Sequence, residues 1–245
     1  MNTPDQTLRP VDAPTPAAPA AAPLVPVRVW DLPTRLFHWL LALAVVGLVI
    51  TGNLGGNWMT WHQRLGYAVL ALLIFRVLWG LVGGRWSRFA SFLHGPGTLL
   101  AYLRGRADPR VEVGHSPLGA LSVFALLAVL AGQVGTGLIS DDEIAFVGPL
   151  AHWVESSTAY AATAYHKGWG KTLLLALVGL HVAAIVWYRI ARGKALLPPM
   201  LHGNKPLPPD TPASADGPRQ RLLALALAAL SVAATAGIVL GLGQP

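Results

Sequence analysis

The chain has 245 residues, 53% of them hydrophobic and 12% charged, with a formal net charge of +7 and no cysteine. So apolar a composition excludes an ordinary water-soluble domain, and the lack of thiols excludes disulfides, cysteine-held zinc, iron–sulfur clusters on the chain's own cysteines and covalent thioether attachment of haem. The net charge invites nucleic acid as a partner, but the basic residues stand beside apolar segments, which is the pattern of membrane orientation.

Met1 to Pro26 is rich in proline and alanine, has no periodicity, and is expected to be a disordered tail. It has neither a continuous apolar core nor an early basic region, so it does not read as a signal peptide. Asp31-Leu-Pro-Thr34 is a helix start, with Pro33 suited to a first turn. The first span is predicted from about Leu36 to Leu54, ended by Gly52, Gly55 and Gly56. A short outer loop covers Asn57 to Trp61, and a second span follows from about His62 to Gly83. Arg85 to Arg110 is a basic connector whose Thr98–Arg104 piece reads as a short interfacial helix. A third span covers about Pro117 to Ile139, and Asp141 to Tyr165 reads as a polar loop. The fourth span runs from about Trp169 to Ile190, Pro198 to Pro218 is a proline-rich linker, and a fifth span covers about Leu222 to Leu242. The fifth carries no ionisable group, so packing or anchoring is expected of it. No internal repeat is evident.

The charges orient these spans. Arg9, Arg28 and Arg35 precede the first; Arg85, Arg88, Arg104, Arg106 and Arg110 lie between the second and third; Arg189, Arg192, Lys194, Lys205, Arg219 and Arg221 lie between the fourth and fifth. The loops at Asn57–Trp61 and Asp141–Tyr165 carry neither lysine nor arginine. The positive-inside rule places the N-terminus and the basic connectors in the cytoplasm and, with five spans, the C-terminus outside.

Alternating topology then sets the depth of each histidine. His38 lies at the inner end of the first span and His181 toward the inner end of the fourth, while His62 and His166 begin the second and fourth spans at the outer face. His166 and His181 are 15 residues apart on one helix, roughly 22 Å along its axis at about 1.5 Å per residue and about 60° apart around it. Two pairs result, His38 with His181 and His62 with His166, each joining two helices as bis-imidazole haem ligation in a bundle requires. A lone histidine at a membrane interface needs no such role, so the outer pair has an incidental reading; the inner pair sits among apolar residues, where ionisable side chains are costly and mark function. His94 and His202 fall in basic connectors and read as solvated, and His152 lies in the outer loop. His115 opens the third span and fits either a haem propionate or quinone contact or a helix start. Arg76, within the second span, fits a propionate partner or snorkelling to the inner headgroups. Arg35, one turn before His38, fits a propionate or a plain orienting charge.

Val29-Trp-Asp-Leu-Pro-Thr-Arg-Leu-Phe-His-Trp39 resembles the opening of the prokaryotic cytochrome b561 family, which includes the b-type cytochrome subunits of nickel–iron hydrogenases. Trp61-His-Gln-Arg-Leu-Gly-Tyr67, Phe75-Arg-Val-Leu-Trp-Gly80, Gly114-His-Ser-Pro-Leu-Gly119 and the stretch from His166 to Val182 resemble its later spans. The resemblance covers about Val27 to Gly203 and departs from the family in the N-terminal tail, in the fifth span, and in a His166–His181 spacing about one residue too long. It implies an all-α integral membrane protein: a four-helix transmembrane bundle holding two b haems on His38, His62, His166 and His181, plus a fifth C-terminal helix. The corresponding division is a tail (1–26), a dihaem domain (27–203), a linker (204–220) and an added helix (221–245). The implied function is an electron relay in the bacterial inner membrane between quinone and a periplasmic partner, either a c-type cytochrome or a hydrogenase, with Arg35, Arg76 and His115 near the cofactors and no nucleic acid involved. Asp141, Asp142, Glu143 and Glu155 would present an acidic docking face to a basic cytochrome. The alternative is a superoxide or small-molecule:quinone oxidoreductase on the same two haems.

Overall fold

The computed structural model describes residues 23–243, so the expected tail up to residue 22 lies outside the described residues. Five helical stretches are long and apolar enough to cross a membrane: Leu32–Leu54, Gly56–Val82, Pro109–Leu138, Ser156–Ala191 and Pro218–Gly241. The spanning α-helices within them are α1 (Leu32–Leu54), α2 (Met59–Val82), α4 (Pro117–Leu138), α6 (Lys171–Ala191) and α8 (Pro218–Ala236). The connecting helices are α3 (Pro96–Leu103), α5 (Ser156–Tyr165) and α7 (Leu197–His202), and strands β1 (Val25–Arg28) and β2 (Asn204–Leu207) pair antiparallel. Helices are what a bilayer permits, because each satisfies its own backbone polar groups.

Helix α1 starts a turn earlier than the hydrophobic run suggests, because Asp31 caps it by accepting the Thr34 amide at 2.8 Å, with Pro33 in the first turn. The outer loop after α1 is shorter than expected: a 3₁₀ turn over Gly56–Trp58 leads directly into α2. The larger correction falls on the polar loop. Its second half is α5, which continues through a π turn at His166–Gly170 into α6, so the fourth stretch is 36 residues of continuous helix. Polar composition hid this, because α5 carries serine, threonine and alanine in place of a continuous apolar run.

Four helices form the central bundle. Ala44 of α1, Val69 and Leu73 of α2, Leu130 of α4 and Leu174 of α6 are buried together in one cluster at mid-height. Lipid is as apolar as leucine, so what holds this layer is close packing and not the exclusion of water. Exposed leucines and valines on the outer faces, such as Leu43 and Val46, are lipid-facing. Helix α8 lays Ala224, Ser231 and Thr235 inward, with Ala224 packed among Phe37, Phe75 and Trp79. The small side chains on one face let it approach α2 closely, which is the packing role its composition suggests.

On the basic side the N-terminal segment and the linker interlock. Residues 25 and 26, placed by composition in the tail, belong to β1, and Asn204–Leu207 of the linker supplies β2. Ser214 donates its amide to the Arg28 carbonyl at 2.7 Å and its hydroxyl to the Val29 carbonyl at 2.8 Å, and Asp216 accepts the Leu32 amide at 3.2 Å. Lys205 Nζ reaches the carbonyls of Glu112 at 3.0 Å and Val113 at 2.8 Å. Burial pushes the Lys205 ammonium down to about 8, Glu112 opposing the shift and Lys194 adding to it. An amine whose folded pKa lies below its usual 10.5 binds its proton more weakly when folded, so its contribution to stability improves as pH rises between the two values. Accordingly the melting temperature of the wild type relative to Lys205→Met, followed from about pH 7.5 to about pH 10, should increase; a flat or falling difference would refute the buried-ammonium assignment.

Candidate functional site

The structure brings the four spanning histidines together in the expected pairs. The imidazole rings of His38 and His181 stand 6.4 Å apart centre to centre, with planes at 48°. Those of His62 and His166 stand 5.9 Å apart, with planes at 81°. Each pair joins a different second helix to the shared post: α1 to α6 on the basic side, and α2 to the π turn that opens α6 on the acidic side.

The π turn at His166–Gly170 is where a His166–His181 spacing one residue longer than the resemblance implies would be accommodated. A π turn takes up one extra residue without rotating the helix beyond it, so both histidines still face the bundle interior. Gly170 permits close packing at the end of the turn: an added Cβ there would meet the Gln133 side chain and the Tyr165 ring.

The outer pair borders a cavity of about 480 Å³, within the usual span of cofactor sites. His62 and His166 line it together with Gly66, Tyr67, Leu130 and Lys171. Gly66 opens onto free space. His62 Nδ1 donates to the Leu48 carbonyl at 3.0 Å, and His166 Nδ1 donates to the Gln133 carbonyl at 2.9 Å. An imidazole that donates from Nδ1 keeps a free lone pair on Nε2, the tautomer a metal requires.

The inner pair lies in a basic and aromatic setting. His38 Nδ1 is buried with no hydrogen-bond partner among the described residues. Arg76, 4% exposed, is caged by rings, its guanidinium 4.5 Å from Phe89 and 6.0 Å from both Phe37 and Phe92. Its Nη1 is buried and has no hydrogen-bond partner among the described residues. Arg76 therefore does not snorkel to the headgroups; it is sequestered among aromatic rings. His115 packs between Trp30 at 4.7 Å and Phe92 at 4.4 Å, within electrostatic reach of Arg76, His38 and His181, and its Nδ1 also has no partner among the described residues. Arg35 is half-buried, with Nη1 on the Leu201 carbonyl and Nε buried without a partner among the described residues.

No group of three or more histidine, aspartate or glutamate side chains converges as a metal site among the described residues. The donors come in twos, which suits a metal whose remaining ligands belong to a macrocycle. With metal–imidazole bonds of about 2 Å, two rings bound on opposite sides of one ion sit about 6 Å apart centre to centre, close to both observed spacings. The residues present therefore fit haem. A family model described as prokaryotic cytochrome b561 matches residues 29–203. The chain belongs to that family. Membership makes it a b-type haem cytochrome of the membrane. Among curated proteins it is similar to the probable Ni/Fe-hydrogenase B-type cytochrome subunit of Bradyrhizobium diazoefficiens, 24% identical over 73% of this chain and 85% of the relative. The corresponding subunit of Azotobacter chroococcum is 26% identical over 64% of this chain and 80% of its own length. That of Escherichia coli hydrogenase 1 is 26% identical over 52% and 66%. No solved structure matches significantly.

The acidic loop of this cytochrome has a more local use than its charge suggests. Asp142 Oδ1 accepts the amides of Ile144, Ala145 and Phe146 at 3.1, 3.0 and 2.9 Å. Those donors, Ala145 and Phe146 foremost, hold its carboxyl down at about 2. Its other oxygen pairs with Lys167 at 3.8 Å, and Asp141 accepts the Glu143 amide at 2.8 Å. Glu143 and Glu155 are the exposed acidic groups left facing outward. Sequence reasoning took Gly52 for a helix end and did not single out Thr51, Thr136 and Gly137; Gly52 lies within α1, and all four lie against the outer histidines; the available signal was a short motif present twice, Gly47-Leu-Val-Ile-Thr-Gly52 and Gly132-Gln-Val-Gly-Thr-Gly137.

Proposed function

We propose that the chain is a dihaem electron relay of the bacterial inner membrane, linking a periplasmic hydrogenase-like or c-type cytochrome partner to the quinone pool. The carrying observation is the stacking of two histidine pairs on one continuous helical post, at 6.4 and 5.9 Å. His38 with His181 and His62 with His166 would each hold one haem b, which supplies a one-electron iron couple when bound. The chain's own work is to fix the imidazoles, exclude water and set the local field. Arg76, Arg35 and His115 offer buried unpartnered nitrogens on the basic side, and a carboxylate such as a propionate is the anion such donors recognise. The N-terminus and basic connectors are placed in the cytoplasm by the charge bias, and the C-terminus outside. The hydrogenase partner rests on the names of the relatives, while the exposed Glu143 and Glu155 would suit a basic cytochrome. The superoxide alternative needs an attractive cationic rim at the outer pair; Lys167 beside His166 is paired with Asp142, and a single further lysine in the cavity wall, Lys171, is too little for such a rim.

Haem quantification on the purified protein should give two non-covalent haems b per chain. Both should be reduced by hydrogen in the presence of a membrane-bound nickel–iron hydrogenase and reoxidised by a quinone analogue. A stoichiometry of one haem or none would overturn the reading, and full reduction that no quinone can reverse would overturn the quinone link.

A further inference from the structure

The outer histidines are held by two copies of one device. On α1, Thr51 donates its hydroxyl to the Gly47 carbonyl at 2.7 Å, and on α4, Thr136 donates to the Gly132 carbonyl at 2.7 Å. Each threonine oxygen then faces an imidazole: Thr51 Oγ1 lies 3.4 Å from His62 Nδ1, and Thr136 Oγ1 lies 3.4 Å from His166 Nδ1. In each case the carbonyl three residues before the threonine, on Leu48 or Gln133, is the main acceptor of the Nδ1 proton at 3.0 or 2.9 Å. The glycine after each threonine makes the approach possible. A Cβ on Gly52 would sit 3.0 Å from His62 Nδ1, and one on Gly137 would sit 3.2 Å from His166 Cε1. Gly-x-x-x-Thr-Gly is therefore a repeated unit, with α1 clamping the histidine of α2 and α4 clamping the histidine of the α5–α6 post.

We infer that Thr51-Gly52 and Thr136-Gly137 are a duplicated positioning clamp that locks His62 and His166 as Nδ1-protonated tautomers and sets the redox potential of the outer site alone. The inference rests on the reading of the outer pair as haem ligands. Donation from Nδ1 to a carbonyl and a hydroxyl raises the basicity of Nε2, and a stronger axial donor favours the oxidised iron, lowering its potential. The unpartnered Nδ1 of His38 has no such device, so the clamp distinguishes the two ends of the protein. The bonds to threonine are long and weak singly; the hydroxyl acts with the carbonyl as a second acceptor on the same proton.

Potentiometric titration of the purified holoprotein tests this. Thr51→Val and Thr136→Val should each raise one of two midpoint potentials while leaving the other in place. The double variant should move the same potential further, and Thr→Ser at either position should restore it. The ferric low-spin electron paramagnetic resonance signal of the same haem should change, because it reports the 81° angle between the ligand planes. Gly52→Ala or Gly137→Ala should release about half the haem, while Gly97→Ala, which meets open space, should release none. Unchanged potentials in the valine variants, equal movement of both, or failure of serine to restore would overturn the clamp; if the double variant does not accumulate, the single variants decide. A separate result, retention of both haems in His62→Ala, would instead overturn the ligand reading beneath it.

Discussion

Replacing any one of the four paired histidines with alanine should halve the haem content, and the losses should fall into two groups. His38→Ala and His181→Ala should remove the same absorbance component, and His62→Ala and His166→Ala the other. A double variant within a pair should lose no more than either single, whereas a double variant across pairs, such as His38→Ala with His62→Ala, should bind almost none. The physical reason is that, on the proposed reading, each pair would hold one iron between two rings that stand 5.9 or 6.4 Å apart, so either ring alone would leave a coordination position open. The mid-height apolar layer formed by Ala44, Val69, Leu73, Leu130 and Leu174 separates the pairs, so loss at one depth need not collapse the other. Reduced-minus-oxidised spectra with haem quantification read the outcome. If His62→Ala and His38→Ala remove the same component, the stacked arrangement is refuted.

Asp31→Ala should be the most damaging change away from the histidines, costing about 3 kcal/mol and lowering the melting temperature in detergent by several degrees. Asp31 is fully buried and accepts the amides of Thr34 at 2.8 Å and Gly84 at 3.1 Å, the Ser87 hydroxyl at 2.7 Å and the Trp79 indole at 3.2 Å. It thus ties the start of α1 to the end of α2. Removing it leaves the Thr34 and Gly84 amides unsatisfied, at about 1–3 kcal/mol each when buried, and takes away an N-cap. Ser87 and Trp79 keep Thr34 Oγ1 as an alternative partner, which limits the loss. Asp31→Asn preserves the shape and the cap and should cost less than Asp31→Ala; equal stability of all three proteins in a thermal scan would show that the hub is dispensable. Because Asp31 stands seven residues from His38 at the foot of the same helix, part of the loss should appear as weaker haem retention on the basic side.

Much of this protein is written locally. The Asp31-Leu-Pro-Thr34 start, the apolar runs and the alternation of basic and acidic connectors give five spans and their order, because a bilayer admits so few backbone solutions that hydropathy and charge suffice. Histidine depth follows from the same arithmetic, and with depth the pairing. Local pattern failed where a residue's state depends on what packs against it. The Ser156–Tyr165 segment is helical because it continues a membrane helix, although its composition reads as loop. Val25 and Pro26 join a strand whose partner lies at Asn204–Leu207, a pairing across the whole bundle that no local window contains. Arg76 reads from sequence as a charge able to reach either a cofactor or the headgroups; the ring cage of Phe37, Phe89 and Phe92 removes the second option.

By itself, the sequence determined a multi-pass helical membrane protein with histidines at two depths, since hydrophobic length, charge asymmetry and helical rise are additive properties of the chain. The tertiary structure alone decided which atoms face one another. It opened α6 through a π turn at His166–Gly170, turned Asp141 and Asp142 inward to hold their own loop, and set two distant Thr-Gly steps against the outer imidazoles. Those outcomes depend on distances of about 3 Å between groups far apart in sequence, and hydrogen bonds and steric contacts fall off too steeply for any one-dimensional pattern to specify them.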